Sequence, residues 1–300
     1  MGYGTKEDLK HLESGGRITE ADASLVSNRA KARGADQLGT MGAGNHFVEV
    51  ETVETIFDEK ETARLGLFKD QAVVLIHTGS RGLGHQIATD YIQTMVRALS
   101  KYNISLPDRE LACAPFSSPE GQNYFRAMSA GANFAWANRQ LITWEVREAW
   151  KSIFGASGGE LEIVYDVAHN IAKLENDLVV HRKGATRSFP GQPVLIPGSM
   201  GTGSYLLVGQ EGAMEQSFGS SRHGAGRRMS RSKAKRMIRG DELKDQLEAR
   251  GIAVVAGSMS GLAEEAPEAY KNLDDVVEVV HRAGIAGKVA RFRPVAVVKG

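Results

Sequence analysis

Six short runs, alternating as in "HFVEVETV" or continuously apolar as in "AVVLIHTG", predict strands: "HFVEVETV" (46–53), "AVVLIHTG" (72–79), "ELEIVYDVA" (160–168), "PVLIPGS" (193–199), "YLLVG" (205–209) and "RPVAVVKG" (293–300). Helical spacing is clearest over 18–34, with Thr19 as the expected N-cap and Gly34 closing it. A second helical region follows Ser118-Pro119 and runs to Phe154, with a break or bend expected near Gly131 and its Phe, Met and Trp positions expected in the core. Strands and helices interleave with no linker and no low-complexity segment. The pattern predicts a mixed α/β (α+β) fold, central β-sheets flanked by helices, in a single domain over 1–300.

Two pairs of segments resemble each other in the same order: "GTMGAGNHF" (39–47) with "GSMGTGSYL" (198–206), and "SRGLGH" (80–85) with "SRHGAGR" (221–227). They suggest two related halves about an internal pseudo-twofold, facing one site.

At 42% hydrophobic residues the chain can bury a substantial core. The formal net charge is +1, yet residues 220–239, "SSRHGAGRRMSRSKAKRMIR", hold eight Arg or Lys and no acid. The remainder is therefore net acidic, and the basicity marks a site rather than a coat. No apolar run is long enough to span a membrane, and the charged start lacks a signal-peptide layout, so a soluble, cytoplasmic protein is expected. The single cysteine, Cys113, excludes an internal disulfide and a Cys-rich zinc site, and is expected to be buried and structural. A metal must rest mainly on His, Asp and Glu.

Of eight histidines, His11 and His281 lie in charged, helix-like surroundings, whereas His46, His77, His169 and His223 sit in small-residue turns at strand ends. Such loops present reactive groups, and imidazoles there favour Mn, Zn, Fe, Ni or Cu over Mg or Ca. The glycine loops "PGSMGTGSY" and "HGAGR" allow close backbone approach to an anion such as phosphate. A Walker A loop is absent, because Gly287-Lys288 is followed by Val289, and no Asp-Gly pair provides a nucleotidyl-lysine motif. Histidine can carry a nucleotide instead, as a phosphoramidate, and His223 between Arg222 and Arg227 fits that role. The basic segment that follows fits a nucleic-acid backbone or a plain solvated face.

The blocks "LGTMGAGNHFVEV", "HTGSRGLGHQ", "DVAHN", "RKGATR", "PGSMGTGSY", "SRHGAGRRMSR", "EEAPEAYK" and "VVKG" together resemble the RtcB-type RNA-splicing ligases from about residue 1 to 300. The resemblance implies an RtcB-like fold and GTP- and Mn-dependent joining of 2′,3′-cyclic phosphate or 3′-phosphate RNA ends to 5′-hydroxyl ends, in tRNA splicing and RNA repair. It implies that His223 accepts GMP and that His46, His77 and His169 bind metal. It also implies a guanylate pocket of Asn45, His46, Phe47, Val48, Glu49, His169, Asn170, Pro197, Gly198, Ser199, Met200, Ser204, His223, Gly224, Ala225, Gly226, Tyr270 and Lys299. RNA and GTP are the implied partners, with archease as an implied activator.

The resemblance is incomplete at one point. The family carries upstream an Asp-x-Gly-Cys-Gly block whose Asp and Cys bind the same metals, and no such block occurs here. An N-terminally shortened catalytic domain is therefore expected, with two Mn sites, one of them impaired. Two alternatives follow: a protein that binds GMP and RNA without ligating, and a metal-dependent cyclic phosphodiesterase.

Overall fold

The computed structural model describes residues 2–300, apart from the side chain of Arg109. In chain order the helices are α1 (Asn28–Gly34), α2 (Glu59–Arg64), α3 (Arg81–Lys101), α4 (Pro119–Phe154), α5 (Gly212–Ser217), α6 (Arg231–Met237), α7 (Gly240–Ala249), α8 (Met259–Glu264) and α9 (Leu273–Arg282). The strands are β1 (Phe47–Ile56), β2 (Ala72–His77), β3 (Asn170–Glu175), β4 (Leu178–Lys183), β5 (Ala185–Arg187), β6 (Pro193–Ile196), β7 (Ser204–Gly209), β8 (Ser220–Arg222), β9 (Ala253–Ala256) and β10 (Ala286–Lys299). The chain divides into two compact units, Met1–Thr40 with Thr78–Glu162, and Met41–His77 with Ile163–Gly300. Neither is one contiguous stretch.

The first unit is helical. Ser118 caps α4 by accepting from the Gly121 N–H at 3.1 Å, and Pro119 fits the first turn, where its missing donor costs nothing. The helix then runs 36 residues without the expected break at Gly131. A Cβ at Gly131 would stand 3.3 Å from Ile87 Cδ1, so this glycine serves close packing against α3. Phe125 and Trp136 are buried as expected, but Phe154, at the helix end, is exposed. The helix expected over 18–34 is instead a short 3-10 turn, Ala23–Leu25, followed by α1. Asp22 takes the Ser24 N–H and Ser27 takes the Ala30 N–H, so the true caps lie inside the periodic stretch and interrupt it. Cys113 is exposed, not buried, because it lies on an irregular connection before α4. Buried Asn138 on α4 accepts from Gly39 and Thr40 N–H and donates to Thr40 and Gly79 carbonyls, fixing the chain where it first leaves this unit and where it returns to it.

The second unit is built on a six-stranded sheet of order β2-β1-β10-β7-β6, antiparallel throughout this path, with β9 parallel to β10. Alternation buries Phe47, Glu49, Glu51 and Val53 of β1. Phe47 and Met200 pack with Leu247, Leu262 and Val297; Val53 packs with Leu206 and Phe292. The run 160–168 forms no strand: Arg147 Nε takes the Leu161 carbonyl at 2.8 Å, and Val164 packs onto the Val53 core as a single side chain. β10 begins well before its expected start, at Ala286, because Lys288, Arg291 and Arg293 mask its apolar alternation.

The paired segments follow different backbones in part. Both "GTMGAGNHF" and "GSMGTGSYL" lead into strands of the large sheet, and Gly42 and Gly201 share positive φ, 94° and 80°. "SRGLGH", however, opens α3, whereas "SRHGAGR" leaves β8 into a turn, so the likeness there stops at sequence.

Candidate active site

Sheet register sets the first part of the site. Phe47 opposes His77 on one side and Lys299 on the other, so the ends of β2, β1 and β10 form one rung with an imidazole and an ammonium flanking a buried ring. Lys299 Nζ stands 5.8 Å from the Phe47 ring centroid. One rung further in, Glu49 lies between Leu75 and Val297, and Glu51 follows on the same face.

The other imidazoles arrive on the small pairs β3–β4 and β5–β8. His169 immediately precedes β3, and His223 follows β8. Gly184 joins them: its N–H donates to the His169 carbonyl at 3.0 Å, and its carbonyl accepts from the His223 N–H at 3.5 Å. It has φ 69°, and a Cβ there would stand 3.6 Å from the His223 ring. A side chain would thus bring backbone strain, with its Cβ in ordinary contact with the ring. Gly184 lies in the quoted "RKGATR" block, but nothing in its composition marked it as a hinge between two histidines.

His77 Nε2 and His169 Nε2 are 3.0 Å apart, and the His169 and His223 rings stack with centroids 4.2 Å apart. One nitrogen from each of His77, His169 and His223 falls in a set whose members all lie within 4.8 Å of one another. The His46 ring is next, its centroid 6.4 Å from that of His77. All four turn histidines therefore gather at one place, and the tightest trio contains His223. Burial, followed by the neighbouring imidazoles and Lys299, holds His77 well below the usual imidazole range. Burial also lowers His223, with Arg222 and Lys183 adding to it and a Gly184 hydrogen bond opposing. Neutral imidazoles with converging lone pairs suit a divalent transition metal.

The carboxylates behave oppositely. Burial, then Glu51, raises Glu49 well above the carboxylate range, against the pull of Lys299. Burial pushes Glu51 up to about 7, with the Ser204 hydroxyl pulling it down. Burial also brings Lys299 down to about 8.

The glycine loops complete the surroundings. Gly198 N–H donates to Ser204 Oγ at 3.2 Å, and the Ser199 N–H donates to Thr202 Oγ1 at 2.8 Å. Gly198, Ser199, Met200, Gly224 and Ala225 are buried, while Pro197, Asn45 and Gly226 are half-buried. Asn170 is exposed and accepts from Lys183 Nζ at 3.1 Å. Val48 points to the sheet face opposite Phe47 and Glu49. Tyr270 lies under Arg227, ring to guanidinium 5.0 Å, and donates to Glu265. Glu264 and Glu265, part of the quoted "EEAPEAYK", were not singled out from sequence; two adjacent acids before an alanine carry no signal of burial.

The profile of the family described as tRNA-splicing ligase RtcB matches residues 1–300. This chain belongs to the RtcB family. It is 56% identical over 322 aligned residues to the tRNA-splicing ligase RtcB of Thermococcus kodakarensis, an alignment covering all of this chain and 67% of that protein. Identity is 54% to the Methanococcus maripaludis protein of the same name, covering 99% of this chain and 67% of the relative. It is 57% to that of Pyrococcus furiosus, covering all of this chain and 33% of the relative. The chain thus spans from about a third to about two thirds of the length of these RtcB relatives.

Proposed function

We propose that this protein is a GTP-dependent RNA ligase that joins 2′,3′-cyclic phosphate or 3′-phosphate ends to 5′-hydroxyl ends in the cytoplasm, with tRNA halves or broken RNA as substrate. The observation that carries the reading is the gathering of His46, His77, His169 and His223 in the unit whose β1 and β10 bury Glu49 and Lys299, in a chain of the RtcB family. One imidazole nitrogen cannot hold a metal and attack phosphorus at once. The reading therefore assigns metal binding to His46, His77 and His169 and reserves His223 for the nucleotide. Bound Mn would supply Lewis-acid stabilisation of phosphate charge.

In the proposed sequence, water first opens a cyclic phosphate to a 3′-phosphate. A neutral His223 nitrogen attacks the α-phosphorus of GTP; the N–P bond forms as the bond to the bridging oxygen breaks, and pyrophosphate leaves with the electron pair. The low proton affinity of buried His223 keeps that nitrogen's lone pair available. An oxygen of the RNA 3′-phosphate then attacks the same phosphorus and returns the electron pair to His223. Finally the 5′-hydroxyl oxygen attacks the RNA phosphorus, GMP leaves, and the hydroxyl proton passes to solvent. The site groups would line a guanylate pocket: Asn45, Phe47, Glu49, Tyr270 and Lys299 towards the base, and the 197–204 and 224–226 loops towards the phosphate. Val48 and Asn170 would contribute through backbone.

Incubation with Mn and α-labelled GTP tests the reading. The expected result is an acid-labile covalent label that disappears in His223→Ala, while His223→Ala still binds Mn. No label on the wild-type chain overturns it. RNA with a cyclic phosphate and a 5′-hydroxyl then distinguishes joined from merely opened product by size.

A further inference from the structure

Three glycine-containing loops border the histidine cluster: 42–46 before β1, 197–203 before β7 and 223–229 after β8. Two of them, 197–203 and 223–229, attach to one fully buried acid just beyond α8. Glu265 Oε2 accepts from Arg227 Nη1 at 2.8 Å and from the Tyr270 hydroxyl, and Oε1 accepts from Arg231 Nε at 2.8 Å. The Glu265 carbonyl accepts from Ser199 Oγ at 2.5 Å, which pins the 197–203 loop. Arg227 is itself spent on the fold: Nε donates to the Met229 carbonyl at 3.0 Å and Nη2 to the Glu264 carbonyl at 2.6 Å, which pins the 223–229 loop. Arg231 gives Glu265 only its Nε, and its Nη2 lies 3.8 Å from where a Gly44 Cβ would stand, beside the 42–46 loop.

We infer that Glu265 is a positioning residue of the nucleotide site, holding the 197–203 and 223–229 loops in one arrangement through Ser199, Arg227 and Tyr270, with Arg231 anchored on the same carboxylate beside the 42–46 loop. The inference rests on the ligase reading. A buried carboxylate shared by two guanidiniums and a phenol has little freedom, because each charge-assisted bond fixes both partners. Glu265 also opposes the effect of burial on Lys299 more strongly than any other nearby acid. It need not touch the nucleotide to determine how well the loops do.

The test is a double-mutant cycle on the full chain, read by covalent labelling of His223 with α-labelled GTP and Mn. Glu265→Gln should raise the KM for GTP by about 10-fold or more, and Mn affinity by calorimetry should stay unchanged. In an Arg227→Met background the same substitution should cost under about 3-fold, because coupled residues are not additive. Glu265→Asp should recover part of the loss. If Glu265→Gln shows no cooperative melt, Glu265→Asp carries the same cycle. Unchanged KM, or costs that multiply in the double variant, overturns the positioning role alone. A wild-type chain that takes no label overturns the ligase reading and this inference with it.

Discussion

Two buried charged regions of the second unit are handled in opposite ways. Arg182 on β4 is fully enclosed, and its donors find the Glu175 carboxylate at 2.8 and 2.6 Å, Ser220 Oγ at 3.0 Å, and the Phe218 and Gly219 carbonyls at 3.1 and 3.2 Å. Glu49 on β1 is equally enclosed, yet among the described residues neither carboxylate oxygen has a hydrogen-bond partner, and the Nδ1 atom of His77 likewise has none. The same fold that satisfies Arg182 leaves these groups uncompensated. Uncompensated burial costs free energy, which is why the proposed function places a ligand there. The ion pair is satisfied within the fold; under the proposed function the histidine and carboxylate cluster serves binding.

Breaking the satisfied region should have the largest effect. Arg182→Ala strands Glu175 and should cost about 3–5 kcal/mol in urea unfolding, with Mn affinity unchanged. A loss below about 1 kcal/mol would erase the contrast.

Glu51→Gln should move stability the other way. Glu51 binds its proton more tightly when folded, at about 7 against an ordinary 4.5, so folding takes up a proton between those values. Stability contributed by this group therefore falls as pH rises from about 4.5 to 7 and stays low above. The glutamine variant should gain on the order of 3 kcal/mol at pH 8 and nothing at pH 4. Urea titrations at both pH values check this, and equal effects at the two would overturn it. Metal addition completes the same region: Mn at 100 times its Kd should stabilise the wild-type chain by about 2.7 kcal/mol, an increment expected to vanish in His169→Ala.

The sequence made β1 legible because its apolar positions alternate, and β2, β6 and β7 because they are short apolar runs, and it brought the four turn histidines to notice through their small-residue neighbours. It misled over 160–168, where the same alternation packs side chains individually, and at Gly131, where a glycine in a helix serves close approach to α3. It was silent on β3, β4, β5, β8 and β9, short strands that pair only in the assembled unit. Glu265 was invisible for a similar reason: what distinguishes it is its partners, Arg227, Arg231 and Tyr270, five to 38 residues away in sequence. Local pattern reveals which residue types are available, and tertiary pairing decides which of them are spent.

The basic run gives the smallest and most discriminating case. Its charges looked alike in sequence, but Arg227 and Arg231 are committed to Glu265, and Lys235 reaches Glu264 at 2.6 Å. Lys233, two residues from both Arg231 and Lys235 on the same helix, is exposed and forms no ion pair among the described residues. Lys235→Ala should therefore cost up to about 1 kcal/mol of stability, whereas Lys233→Ala should leave stability within about 0.5 kcal/mol. If RNA lies along α6, Lys233→Ala should instead weaken RNA binding and reduce the slope of log K against log salt by about 0.7 to 0.9. An unchanged salt slope would return Lys233 to the plain solvated face, and the basic run would then owe its composition to the acids it holds inside the protein rather than to any nucleic acid outside.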